Sequence, residues 1–332
     1  MKPRSHTCPL PVRAQVIRGL SVLPSLLSRS LPGLTLLTFL SAACASGAPS
    51  MRLSQPNGTS AGVSGTLLIV GGGSQPDALV RHFVDLAGGP GKARIAILPM
   101  ATSDAVATGA EKEAQLDSLG ADSFVVNVSR AHADDDSVVR ALSAVTGVWF
   151  PGGDQSLLTA ALEGSAALRA IHERFRSGAV IGGTSAGAAV MSDSMITGNQ
   201  YWPGNAAASD SGSFSRIARH AIEVVPGLGF VHNAIVDQHF LTRQRENRLF
   251  SVILERPSLL GVGIDEGTAL QVTPDGMWSV LGRGSVMVLD ARKSRVSPSG
   301  AAILGAADIR VSVLPAGSTY NPRTGEATLP LH

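Results

Sequence analysis

Val180-Ile-Gly-Gly-Thr-Ser-Ala-Gly-Ala-Ala-Val190 is an apolar run that meets a turn of small residues with a hydroxyl at its centre. Within it, Gly183-Thr-Ser185-Ala-Gly187 fits G-x-S-x-G, the sharp strand-to-helix turn that lifts a serine above a sheet edge. The glycines have a mechanical reason: the turn is strained, and a Cβ at either flank would crowd the approaching helix or a substrate. Ala188, Ala189, Val190 and Met191 read as the first turns of a buried helix, whose N-terminal N–H groups would face a developing oxyanion. Ser185 is the candidate nucleophile, against the plainer reading of a tight turn in a Gly- and Ala-rich chain.

Upstream, Thr66-Leu-Leu-Ile-Val70 is a continuous apolar run closed by Gly71-Gly-Gly73 and followed by the helix-like segment Asp77–Leu86. Such a run suggests a parallel strand covered on both faces. The glycine triplet lacks both G-x-G-x-x-G and G-K-[ST], so it reads as a strand-to-helix turn, not a phosphate loop. The pattern repeats in Arg94–Leu98, Ser123–Asn127, Gly147–Phe150 and Ala179–Gly182, separated by helix-like stretches near 106–119, 136–144 and 155–177. Alternation of this kind predicts an α/β fold with a doubly wound, mostly parallel sheet flanked by helices, whose ligands sit beyond the carboxyl ends of the strands. Pro151-Gly-Gly-Asp-Gln155 occupies such an end. The polar stretch Thr197–Arg216, with Tyr201 and Trp202, reads as a surface loop or a substrate lid. Arg243–Glu255 reads as a helix, and the part after about 259 as β-rich.

The net charge of +2 belongs to the first 45 residues, which hold Lys2, Arg4, Arg13, Arg18 and Arg29 and no acid. The remainder has 22 basic against 25 acidic side chains, which removes a general electrostatic argument for nucleic-acid binding. Both cysteines, Cys8 and Cys44, fall in this leader, so the body can form no internal disulfide and use no thiol in catalysis. Leu31 to Ala45 is an apolar run too short to span a bilayer and ends in Ala43-Cys-Ala45, which suits signal-peptide cleavage and predicts export. Leu40-Ser-Ala-Ala-Cys44 also resembles a lipoprotein cleavage site, although Ser41 departs from its preferred aliphatic. A lipid on Cys44 is the membrane attachment this sequence offers. The division expected is a leader at 1–45, a flexible linker at 46–64 rich in Ser, Gly, Pro and Asn, and one α/β domain at 65–332.

A serine hydroxyl is a weak nucleophile until a base takes its proton, commonly a histidine oriented by an acid. After Ser185 come His220, His232, His239 and His332, of which His239 in Asp237-Gln-His-Phe240 follows a short apolar run and precedes a helix. Asp265 and Glu266 follow another short strand, and either carboxylate could hold the imidazole. A metal set drawn from Asp237, His239, His232 and His220 has no recognised ligand spacing.

Four blocks taken together, Gly152-Gly-Asp-Gln155, Gly182–Ala188, Asp237–Phe240 with Arg243, Arg245 and Arg248, and Gly263-Ile-Asp-Glu266, resemble the signature blocks of cyanophycinases. These are serine peptidases related to aspartyl dipeptidases, on a class I glutamine-amidotransferase-like fold. The resemblance runs from about residue 66 to near the C-terminus. It implies Ser185 as nucleophile, His239 as general base and Glu266 as its orienting acid, with the N–H groups of Gly153 and Ala186 as oxyanion hole. It further implies Gln155, Asp237, Gln238, Arg243, Arg245 and Arg248 as substrate-binding, no metal or organic cofactor, and a homodimer. Cyanophycin is a poly-aspartate chain with arginine joined to each β-carboxyl, so each repeat offers a free carboxylate that a guanidinium fork matches. The expected activity is release of β-Asp-Arg dipeptides by an exported enzyme. An exported aspartyl or isoaspartyl dipeptidase of the same family is the alternative.

Overall fold

The computed structural model describes residues 65–201, 207–208, 214 and 216–331. The expected leader with Cys8 and Cys44, the linker and most of 202–215 lie outside them. The apolar run at the start forms β1 (Leu67–Val70), and its lack of polar residues follows from its surroundings. Leu67 and Ile69 enter one apolar cluster and Leu68 and Val70 another, on opposite faces, so neither face meets water. Each such side chain contributes roughly 1.5–3 kcal/mol by leaving solvent.

Strands are numbered in chain order. Beside β1 lie β5 (Val180–Thr184), β4 (Gly147–Phe150), β2 (Arg94–Ile97) and β3 (Asp122–Val125), all parallel. On the other side of β1 the sheet continues antiparallel through β11 (Thr268–Val272), β12 (Trp278–Gly282), β17 (Thr319–Asn321) and β18 (Glu326–Thr328). The result is a large mixed sheet flanked by helices, an α/β fold. Helix α1 (Asp77–Leu86) buries Leu79, Val80, Phe83 and Val84, and Phe83 meets Trp149 of β4 edge-on. Next come α2 (Ala105–Ser118) and α3 (Asp136–Ser143). The single helix expected at 155–177 is two, α4 (Gln155–Leu162) and α5 (Ala166–Arg176). Gly164 at φ +68° breaks the run, and Ser165 starts the second helix by accepting from the Leu168 N–H.

The sequence pattern did not reveal that the strands bearing His239 and the acids leave the large sheet. β9 (Ala234–Gln238) and β10 (Leu260–Ile264), parallel to each other, form a second sheet with β13 (Ser285–Asp290) and β16 (Arg310–Pro315). Helix α7 (Glu246–Glu255) packs against it through Leu249 and Ile253. The Thr197–Arg216 stretch begins as strand, not loop: β6 (Ser194–Tyr201) pairs with β7 (Ala207–Ala208) and β8 (Ile222–Pro226). A short pair, β14 (Arg295–Val296) and β15 (Ala306–Ala307), completes the β-rich part. Among the described residues no helix is long and apolar enough to cross a membrane.

Candidate active site

β5 lies between β1 and β4, and the chain leaves its carboxyl end through Ser185. Ser185 sits at φ 54°, ψ −113°, a conformation that costs a non-glycine residue about 1–3 kcal/mol and persists only where the surroundings impose it. They do so through backbone: the Ser185 N–H donates to Val70 O at 3.1 Å, and its carbonyl accepts from the N–H groups of Ala188 and Ala189. The helix that follows, α6 (Ala186–Ala189), is one turn and not the longer helix expected. So short a helix has little macrodipole, and any anion stabilisation here falls to individual N–H groups.

The candidate base arrives from the second sheet. His239 follows β9 at φ 48°, its N–H donating to Gly71 O at 2.6 Å. Its Nε2 is 2.9 Å from Ser185 Oγ, and its Nδ1 is 2.5 Å from Glu266 Oε1. A carboxylate can only accept, so Nδ1 carries the proton, and Nε2 is the lone-pair nitrogen that accepts from the serine hydroxyl. Of the two carboxylates open in the sequence, Glu266 holds the imidazole, while Asp265 accepts from the N–H and hydroxyl of Thr242 and ties down the histidine turn. Burial holds the imidazole below its ordinary pKa; the Glu266 hydrogen bond opposes this and the charge of Arg243 adds to it. At neutral pH the ring is therefore the free base that proton abstraction needs.

Gly71–Gly73, read from sequence as a turn only, forms the wall behind this pair. Gly72 has φ +109°, and a Cβ there would lie 2.3 to 2.8 Å from three ring atoms of His239. One at Gly73 would meet the Glu266 carboxylate at 2.6 Å. The signal was present as a glycine triplet at a strand end; the missing information was which strand ends adjoin. On the other side, Gly152 lies against Ser185, and Gly153, at φ +137°, packs so tightly on the Ala101 carbonyl that no Cβ fits.

The remaining predicted residues are mostly buried. Gln155 donates through Nε2 to the carbonyls of Ile196 and Thr197, which joins the start of α4 to β6. Asp237 and Arg248, each at most 2 % exposed, form a buried bidentate pair. Arg245 Nη1 donates to Gln238 O at 2.8 Å from just under the histidine turn. The expectation of three arginines on one helix is corrected: only Arg248 is on α7, and Arg245 and Arg248 face inward as braces for the turn. Arg243 is exposed at its rim. Gln238 is 6 % exposed, and its Oε1 is buried without a hydrogen-bond partner among the described residues. The metal set weighed from sequence is not assembled: Asp237 is engaged by Arg248, His220 contacts Glu255 and His232 contacts Asp193. Farther out, Glu223 of β8 accepts from the Tyr201 hydroxyl, Thr197 and Asn199, which hold its carboxyl below the usual range and fix β6 to β8.

Known proteins share this arrangement of sequence. The model of Peptidase family S51 matches residues 67–280. The chain is 34% identical over 249 residues to a cyanophycinase of Trichormus variabilis, covering 73% of this chain and 78% of that one. It is 31% identical over 269 residues to a cyanophycinase of Geminocystis herdmanii, covering 78% and 94%. A solved peptidase from an acI-B1 Actinobacterium superposes with a TM-score of 0.56 at 24% identity over 80% of this chain and 96% of that one, a likeness of fold.

Proposed function

The chain belongs to peptidase family S51 and is a peptidase; on that premise we propose that it is a serine-type cyanophycinase that cuts the poly-aspartate backbone and releases β-Asp-Arg dipeptides. The observation that carries this reading is the line Ser185 Oγ to His239 Nε2 at 2.9 Å and His239 Nδ1 to Glu266 at 2.5 Å. The names of the relatives at 31 and 34% identity supply the substrate class.

In this mechanism Ser185 Oγ attacks the carbonyl carbon of an aspartyl backbone amide while its proton passes to His239 Nε2. The imidazolium is stabilised by Glu266 on its far side. Negative charge on the former carbonyl oxygen meets the N–H groups of Ala186 and Gly153; losing one such donor typically costs about 10²–10³ in turnover. Collapse breaks the C–N bond, and His239 gives its proton to the leaving amine. Water then attacks the acyl carbon as His239 takes its proton, and the ester C–O bond breaks while His239 returns that proton to Ser185 Oγ. Arg243, exposed beside the base, is suited to pair with a substrate carboxylate. Asp237, Gln155, Arg245 and Arg248 act by positioning. The basic, then apolar, leader supports action outside the cytoplasm, which cell fractionation tests: recovery in the cytosol alone ends that part of the reading.

The deciding experiment incubates residues 46–332 with insoluble cyanophycin and identifies soluble products by mass spectrometry. β-Asp-Arg is expected, with a loss of about 10⁴–10⁶ in rate for Ser185→Ala. Cleavage of short aspartyl peptides with silence on the polymer would move the protein to the dipeptidase reading.

A further inference from the structure

Past the carboxyl ends of β2 and β3 lies an open cleft of about 520 Å³, walled by Met100, Thr102, Asn127, Arg130, His132 and Leu157. It has no part in the chemistry above, yet one wall continues into the glycine loop beside Ser185. Ala101, next to Met100, accepts from the Asp154 N–H at 2.7 Å, and its carbonyl is the atom on which Gly153 packs. The strand order β5, β4, β2, β3 therefore sets the distance from the nucleophile to the cleft at two to three strands, about 10–15 Å at ~4.8 Å per strand. An extended peptide advances about 3.3–3.6 Å per residue, so a chain lying across the strand ends reaches the cleft three or four residues from the bond being cut.

The lining suits one repeat of the polymer. Arg130 is half exposed, with Nη1 2.9 Å from Asp134. Asp134 in turn accepts from the Ala166 N–H at 2.6 Å, so the acid is bound on both sides, and Arg130 lines the cleft beside it with guanidinium donors beyond the one Asp134 takes. His132 Nδ1 bonds the Ser129 hydroxyl. Leu157, 46 % exposed on α4, adds to the same lining an apolar surface that matches the methylenes of an arginyl side chain.

We propose that this cleft is a remote subsite that binds the free carboxylate of a cyanophycin repeat three or four units from the scissile bond, gripped by Arg130. The proposal builds on the cyanophycinase reading and adds to it a reason to favour long chains.

The test uses purified cyanophycin oligomers of two and of eight repeats, with kcat and KM measured separately on each. For Arg130→Ala the ratio of kcat/KM on eight repeats to that on two is expected to fall about three- to tenfold, through KM on the long chain. Asp134→Asn, which keeps an acceptor for Ala166 and frees Arg130 from its charge partner, is expected to hold the ratio at or above that of the unaltered protein. An unchanged ratio in Arg130→Ala, or an equal fall in Asp134→Asn, overturns the subsite, as does an unaltered protein with no preference for eight repeats over two. Failure of the unaltered protein on both lengths removes the substrate reading, and the subsite with it.

Discussion

The turn that carries Ser185 and the turn that carries His239 come within 2.9 Å of each other, yet they are held in unlike ways. The serine turn is fixed by backbone: strand β5 ends between two parallel neighbours, and a hydrogen bond to the Val70 carbonyl and two from the N–H groups of Ala188 and Ala189 close around a strained residue. The histidine turn is fixed by side chains. Arg248 pairs with Asp237, Arg245 reaches the Gln238 carbonyl, and Asp265 holds Thr242. The first is rigid because its residues are small and packed; the second because buried charges are tied to one another and to the backbone of the turn. A base placed by charges is open to perturbation in a way that a nucleophile placed by strand register is not.

Removal of a buried charge is the largest blow to that second arrangement. Arg248→Ala leaves Asp237, 1 % exposed, without its main cation, and is expected to cost about 3–5 kcal/mol in a urea unfolding curve. Arg94, paired with Asp122 but about half exposed, serves as the contrast, with Arg94→Ala expected under about 1 kcal/mol. Comparable losses from the two would show that the buried pair is not what holds the base turn.

Gly72→Ala probes the contact between the two turns. Its Cβ would lie 2.3 Å from the imidazole, so His239 must move off the Ser185 line, and kcat is expected to drop about a hundredfold with circular dichroism unchanged. Full activity would mean that the histidine turn is looser than its braces imply. The smallest effect is electrostatic. Activity needs the neutral imidazole and is lost as pH falls through the His239 pKa, and Arg243 contributes to lowering that pKa. Arg243→Gln therefore moves the acid limb of the kcat/KM profile to higher pH. A shift to lower pH, or none, would place Arg243 too far from the ring to matter.

The serine turn was readable from sequence because every constraint on it is local. G-x-S-x-G names the small residues, and the apolar run before it names the strand. His239 stood out by its place after a short apolar run, but the acid was nameable only through resemblance to a family, since Asp265 and Glu266 are adjacent and both follow β10, and nothing in their order says which one faces the ring. The start of the helix that follows was placed too early for the same reason. The pattern reads Arg243 to Glu255 as one helix, whereas the chain begins α7 only at Glu246 and turns Arg245 and Arg248 inward. Asp237, eleven residues before Arg248, gave no hint that it was the partner.

Sequence by itself determined the parallel α/β core and the candidate nucleophile turn, because strand burial and glycine sterics act over a few residues. Tertiary structure alone decided that His239 and Glu266 come from a second sheet, that Gly72 is the wall behind them, and that Asp237 and Arg248 neutralise each other. Those outcomes depend on which strand ends adjoin and which charges share a low-dielectric interior, and neither quantity is a property of neighbouring residues in the chain.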